Sequence, residues 1–348
     1  MCLGHTKSPA AGDNQAPQDS DAYTHTELDQ HLYLVVQRDK YVEYPFVYVI
    51  YFPEIRLAVV IDTGCGRQHA ADDRAETTEL RDFIEGKLLC LGRSRGGDVE
   101  HELQYMVICT HCHFDHIGGL ETFASLGAII VASGHDRIFV DKKNRDANSL
   151  CSAFGMATPA YDITHFAENG ERLQYAGIDL GLRVLLTPGH TPDSLAVYDE
   201  KRRWLFTGDT CYKRCAVMPW GEQQDVPIVF PLQGNWKDWT ETMDKLIAFV
   251  ETEDSVQVDR PINIGCGHTT SGVGAIELLR AAQNFGHDVA KGNVRSIAGL
   301  EGDAVAPGGS LGDETFMIWH DEGDPEFSMC APESFERHFE DARINPDQ

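Results

Sequence analysis

Apolar residues along this chain fall in short dense blocks separated by polar, turn-rich stretches. The blocks at 32–36, 44–52 and 56–61 are rich in β-branched and aromatic residues and are broken by Pro45 and Pro53, which predicts consecutive strands. Helical spacing of apolar positions recurs at about 69–91, 119–127, 235–251 and 273–285. Strands alternating with helices indicate a layered α/β architecture. Residues 1–25, rich in Pro, Gly, Gln, Asp and Ser without apolar periodicity, predict a mobile tail, so the main domain is expected over 26–286. Residues 287–348 read as a C-terminal extension packed on the same domain, with one strand at 315–319. The stretches 131–173 and 211–233 mix apolar and turn-forming residues and predict long loops, the usual place for a substrate pocket.

Four apolar runs each finish in potential metal ligands. Residues 106–110 lead into His111-Cys112-His113-Phe114-Asp115-His116, and residues 184–187 into Pro188-Gly189-His190. Residues 204–207 lead into Gly208-Asp209, and 262–264 into Gly265-Cys266-Gly267-His268. Side chains just past strand ends gather along one rim of an α/β sheet, so four separate segments can meet at one place. Five imidazoles and two carboxylates suit a borderline ion such as zinc, and they suffice for two ions.

Composition narrows the classes. A chain of 348 residues with 42% hydrophobic content can bury a large core, and no apolar run approaches the roughly 20 residues a membrane span needs. Ten singly scattered cysteines and an N-terminus without a secretory pattern point to a reducing, cytoplasmic setting without disulfides. The net charge of −26 repels polyanions, which argues against nucleic-acid partners and for a small-molecule substrate. Oligomeric state is left open.

The run His111-x-His113-x-Asp115-His116, followed by His190, Asp209 and His268, resembles the metallo-β-lactamase superfamily over roughly residues 30–285. The resemblance implies a four-layer αββα sandwich with its metal site at the strand-end rim. By position, His111, His113 and His190 would hold a first metal, Asp115, His116 and His268 a second, and Asp209 would bridge the two. Two zinc ions are implied, with manganese or iron as alternatives. A bridging Asp is similar to the lactonase and glyoxalase II branch, whereas antibiotic-degrading lactamases typically lack it. Persulfide dioxygenases, which use one iron, keep similar histidines and stay open as an alternative. Asp62, at a strand end, matches an early Asp of the family that orients a ligand, and Tyr212, three residues past Asp209, matches a lactonase tyrosine placed near the substrate carbonyl.

Two close cations would lower the pKa of a shared water towards about 7 and present hydroxide at neutral pH. Asp115 could then relay a proton to the leaving group, and Tyr212 could donate to the developing oxyanion. Cys112 is expected as a buried thiol, because neighbours in an extended segment point opposite ways. Cys211, Cys215 and Cys266 read as ordinary free thiols. Tyr212, Trp220, Phe230, Trp236 and Trp239 are candidates for an apolar pocket wall, with Trp319 and His320 as weaker ones. The leading expectation is opening of a small lactam or lactone. An acyl-thioesterase acting on a CoA or glutathione conjugate is the alternative, and it would need a basic patch from Lys213, Arg214 or Lys237.

Overall fold

Two large sheets face each other, and the reason lies in which strands are apolar on both sides. In the computed structural model, which describes residues 21–67, 70–72, 75–90, 103–301, 315–320, 326–335 and 339, the first sheet has seven strands. They are β1 (Tyr23–Asp29), β2 (Leu32–Gln37), β3 (Phe46–Phe52), β4 (Leu57–Ile61), β5 (Gln104–Ile108), β6 (Ile129–Ser133) and β7 (His165–Ala167), in that spatial order. The first four pair antiparallel and β4 to β7 pair parallel. All five residues of β4 are buried, as expected of a parallel strand covered on both faces.

The second sheet holds β8 (Arg172–Tyr175), β9 (Ile178–Leu186), β10 (Leu195–Asp199), β11 (Trp204–Phe206), β15 (Asn263–Gly265) and β16 (Ser271–Gly274). Its order is β16-β15-β11-β10-β9-β8. Leu32, Tyr48, Val59 and Ile108 of the first sheet meet Leu182, Val184, Val197 and Phe206 of the second in one buried layer. On the outer face of the first sheet lie α1 (Leu80–Phe83), whose last turn continues as a wider π turn over Ile84–Leu88, and α3 (Leu120–Ser125). The outer face of the second carries α5 (Trp236–Val256) and α6 (Ala275–Lys291). In α6 the buried Ala275, Leu278, Leu279, Ala282, Gly286, Val289 and Ala290 recur at helical spacing and form the stripe laid on that sheet. This is the expected αββα sandwich.

Three boundaries differ from the pattern reading. Residues 1–20 lie outside the described residues, but Ala22 and Tyr23 are buried and β1 starts within the stretch expected as tail. The helix expected from 69 begins at Leu80, because 70–79 carries acidic and small residues with no apolar stripe to bury. Helix α6 runs through residue 286 to Lys291.

Beyond α6, β17 (Ser296–Glu301), β18 (Thr315–His320) and β19 (Ser328–Pro332) form a four-stranded sheet with β14 (Ile228–Val229). Its parallel pairing of Ile228 with Met329 ties the end of the chain to the loop that follows Asp209. A short hairpin, β12 (Cys215–Val217) with β13 (Gln223–Asp225), fills the rest of that loop. Two short helices, α2 (Phe114–Ile117) and α4 (Arg145–Asn148), follow β5 and β6.

Candidate metal centre

Strands β5, β9, β11 and β15 each deliver ligand-type side chains to one rim. His111 and His113 follow β5, Asp115 and His116 lie on α2, His190 follows β9, Asp209 follows β11 and His268 follows β15. All seven are buried. They form two groups: His111, His113 and His190, and Asp115, His116, Asp209 and His268.

In the first group His111 Nε2 lies 3.1 Å from His113 Nδ1, His190 Nε2 lies 3.2 Å from His111 Nε2, and His190 Nε2 lies 3.1 Å from His113 Nδ1. Three ring nitrogens converging this way cannot all be satisfied by one another. A tetrahedral ion with bonds of about 2.0–2.1 Å separates its ligand atoms by about 3.3 Å, so the triangle fits one cation at its centre. Burial, reinforced by His116, holds His111 well below the imidazole range, and burial pushes His113 down to about 3. Both rings are therefore neutral, the form that ligates a metal.

In the second group His268 Nε2 is 3.2 Å from Asp115 Oδ2 and 3.5 Å from Asp209 Oδ2, while His116 Nε2 is 3.4 Å from both Asp115 Oδ2 and Asp209 Oδ1. Asp209 Oδ2 also stands 3.9 Å from His111 Nε2 and 3.8 Å from His190 Nε2, so this carboxylate reaches both groups. His113 Nε2, His116 Nε2 and Asp209 Oδ1 are buried without a hydrogen-bond partner. Burial opposes charge on His116, but the Asp115, Asp209 and Asp62 carboxylates outweigh it and hold the ring well above its ordinary value. His268 follows the same pattern, driven by Asp209 and Asp115. Two imidazoles and two carboxylates that converge in this way, with His116 Nε2 and Asp209 Oδ1 unpartnered, form a donor set that fits a cation.

The distal nitrogens are anchored. His116 Nδ1 is 2.8 Å from Asp62 Oδ2, His190 Nδ1 donates to Val229 O at 2.7 Å, and His268 Nδ1 donates to Glu43 O at 2.9 Å. These contacts fix ring orientation and tautomer. Asp62 itself accepts from Thr110 N and Thr110 Oγ1, both at 2.7 Å. Helix α5 braces two ligand loops at once, through Trp239 Nε1 to Thr210 O at 2.8 Å and Thr242 Oγ1 to Pro188 O at 2.7 Å.

The metallo-beta-lactamase superfamily model matches residues 42–308, a range that holds all seven donors. The chain belongs to the metallo-beta-lactamase superfamily. It is a metal-dependent hydrolase of that superfamily. Among relatives, the avaE protein of Aspergillus versicolor, named as a candidate transcription factor, is 28% identical over 293 residues, 83% of this chain and 82% of that one. The acyl-coenzyme A thioesterase MBLAC2 of Homo sapiens is 26% identical over 258 residues, 70% of this chain and 81% of its own. Among solved structures, the metallo-beta-lactamase family protein TTHA1429 of Thermus thermophilus matches with a TM-score of 0.53 at 20% identity, covering 77% of this chain and 82% of that one. That likeness shows the fold.

The metal donors border a solvent-open cleft of about 620 Å³. His113, Asp115, His190, Asp209 and His268 form one side of the cleft, with Glu43 beside them. Phe114, Leu150, Phe154, Val226, Val229, Pro231 and Phe316 form the apolar remainder. Among the described residues no Lys or Arg lines it.

The expected aromatic wall is mostly elsewhere. Trp236, Trp239 and Phe230 are buried in the core between α5, α6 and the C-terminal sheet, because the helix turns its apolar stripe that way. Trp220 packs edge-on to Tyr44 with centroids 4.9 Å apart. Trp319 belongs to the same core as α5, whereas Phe316 and Ile318, on the opposite face of β18, pack with Leu150, Phe154 and Val229. Tyr212 does line the cleft, with its ring 5.5 Å from that of His268. Its hydroxyl, however, donates to Pro227 O at 2.9 Å, so its one proton is directed away from an oxyanion.

Glu43, Leu150, Phe154 and Phe316 escaped the sequence reading. Glu43 and Leu150 sit in loops and Phe154 ends a single 3-10 turn, none with a periodic signal, and Phe316 is one residue of a strand whose facing could not be set without its partner. Cys112, Cys211 and Cys266 are buried free thiols, and Cys215 is exposed.

Proposed function

We propose that this chain is a binuclear, zinc-dependent hydrolase that opens a small, neutral lactam or lactone. The cleft carries the reading: metal donors with Glu43 and Tyr212 beside them, apolar side chains around the rest, and, among the described residues, no Lys or Arg to receive an anionic carrier. His111, His113 and His190 would hold one cation, Asp115, His116 and His268 the other, and Asp209 would reach both. When bound, the cations supply Lewis acidity and a hydroxide nucleophile at neutral pH. Asp115 lines the cleft and can pass a proton to the departing nitrogen or oxygen. The apolar wall excludes water and seats the ring against the donors.

The four donors of the second group speak for two cations and against a single-iron dioxygenase, which would leave that group without a use. The name of MBLAC2 brings forward a thioester substrate. The sequence candidates for holding a CoA or glutathione tail are paired elsewhere: Lys213 with Glu326, Arg214 with Asp225 at 2.6 Å, and the exposed Lys237 with Glu241 at 3.8 Å. A role in transcription, suggested by the name of avaE, meets a net charge of −26. Among the described residues no helix is long and apolar enough to cross a membrane, and the free thiols support a reducing compartment.

The test is a hydrolysis panel of lactams, lactones, acyl-CoA and glutathione thioesters with zinc-loaded protein, alongside metal analysis. Turnover of lactams or lactones with two metals per chain is expected. Turnover confined to thioesters, or one iron with oxygen consumption, would overturn the reading.

A further inference from the structure

One carboxylate in the cleft belongs to neither donor group. Glu43 lines the cavity between Asp115, His268 and Tyr212, yet it lies outside both clusters of converging donors. Glu43 is half-buried at the cleft, and among the described residues its carboxylate has no ion-pair or hydrogen-bond partner, so its oxygens are available to a ligand.

The backbone around it is held firmly. Asp39 Oδ1 accepts from Tyr41 N at 2.8 Å and Asp39 Oδ2 from Tyr44 N at 2.7 Å. The Glu43 carbonyl receives His268 Nδ1 and the Gln224 side-chain amide. Val42 and Tyr44, on either side, both have left-handed backbone, with φ of 68° and 48°. Two such non-glycine residues flanking one position carry a conformational cost that persists only where surrounding contacts impose it. The result is that a carboxyl group lines a cleft whose other walls are the metal donors, Tyr212 and apolar residues that include Leu150, Phe154, Val226 and Phe316.

We propose that Glu43 is a specificity-determining residue, accepting a hydrogen bond from an N–H adjacent to the scissile carbonyl and so favouring N–H-bearing cyclic amides over lactones. The inference rests on the lactam or lactone reading of this site and selects within it. A secondary lactam presents its ring N–H beside the carbonyl, whereas a lactone presents a ring oxygen with lone pairs and no hydrogen. Opposite an acceptor, the first forms a hydrogen bond and the second leaves two acceptors facing each other. The ionised carboxylate offers only acceptor oxygens, so it can pair with the ring N–H but not with a ring oxygen. Sites built around a substrate N–H or O–H discriminate strongly against analogues that lack it, because the buried partner is left unpaired. The product amine is a donor too, so the same contact follows the nitrogen after the ring opens.

The test uses zinc-loaded full-length protein and three substrates on one ring framework: the N–H lactam, its N-methyl analogue and the lactone. Glu43→Leu is expected to lower kcat/KM for the N–H lactam by about 10- to 100-fold relative to the other two, mainly through KM, with two metals per chain retained. Glu43→Gln, which keeps an acceptor oxygen, should recover part of that preference and guards against a folding defect in the leucine variant. An unchanged ratio among the substrates in Glu43→Leu, or an equal fall for all three, overturns the inference and leaves the hydrolase reading standing. Wild-type protein that cleaves none of the three while cleaving thioesters overturns both.

Discussion

Asp62 Oδ2 lies 2.8 Å from His116 Nδ1, and the same carboxylate is pinned by the amide and hydroxyl of Thr110, the residue just before His111. One side chain at the end of β4 thus orients a ligand of the second group and steadies the segment that carries the first. Replacing Asp62 by Ala frees the His116 ring and leaves the buried Thr110 amide without its partner. Metal affinity is expected to fall by about 10- to 100-fold, read by competition with a chromophoric chelator. Unchanged affinity in a folded variant would show that the contact orients nothing.

Gly267 brings the backbone hard against the donors. A Cβ built there would stand 2.0 Å from Asp209 Oδ1 and 2.9 Å from His116 Cε1. Gly267→Ala should therefore push Asp209 aside and reduce the bound metal from two ions per chain towards one, with nearly complete loss of turnover. Metal analysis together with a circular dichroism spectrum separates this from global unfolding. Two retained ions and normal turnover would refute the assignment of Asp209 to both groups.

How much of this was readable beforehand follows from what each feature depends on. The strand-end donors His111, His113, Asp115, His116, His190, Asp209 and His268 stood out because each segment couples an apolar run to a turn, and the sheet topology then brings the turns together. The layered fold followed from the same alternation. The loops expected at 131–173 and 211–233 do supply Leu150, Phe154, Val226, Val229 and Pro231 to the cleft wall, but Phe316 was not readable, because β18 reaches the cleft through the sheet that pairs β14 with β19. Nor did the tryptophans disclose their facing: Trp236 and Trp239 lie three apart on α5, which places both on one stripe, but only the packed helix shows that the stripe faces α6.

Tyr212 offers a sharper test than its position in sequence suggested. Its hydroxyl is engaged with Pro227 O, and burial holds the phenol well above its ordinary value, so it stays protonated. Tyr212→Phe removes a hydrogen bond worth about 1 kcal/mol and leaves a carbonyl unpaired. Thermal stability should drop by a few degrees while kcat stays within about threefold of wild type. A fall in kcat of about 100-fold with unchanged melting temperature would instead restore the hydroxyl as a donor to the oxyanion.

Asp193 provides a pH dependence separate from the donors. It is 3% exposed, its Oδ1 has no partner, and burial pushes its carboxyl up to about 7 against the pull of the Thr191 hydroxyl. An acid whose folded pKa is raised binds its proton more tightly when folded than when unfolded. The penalty is therefore absent below the ordinary value of 3.8, grows as pH rises, and is fully present above about 7. Asp193→Asn removes the titration but keeps the shape. Its melting temperature relative to wild type should rise between about pH 5 and pH 8 by several degrees, measured at fixed zinc concentration. A difference that stays flat across that range would show that Asp193 ionises in the folded protein as freely as it does in the unfolded chain.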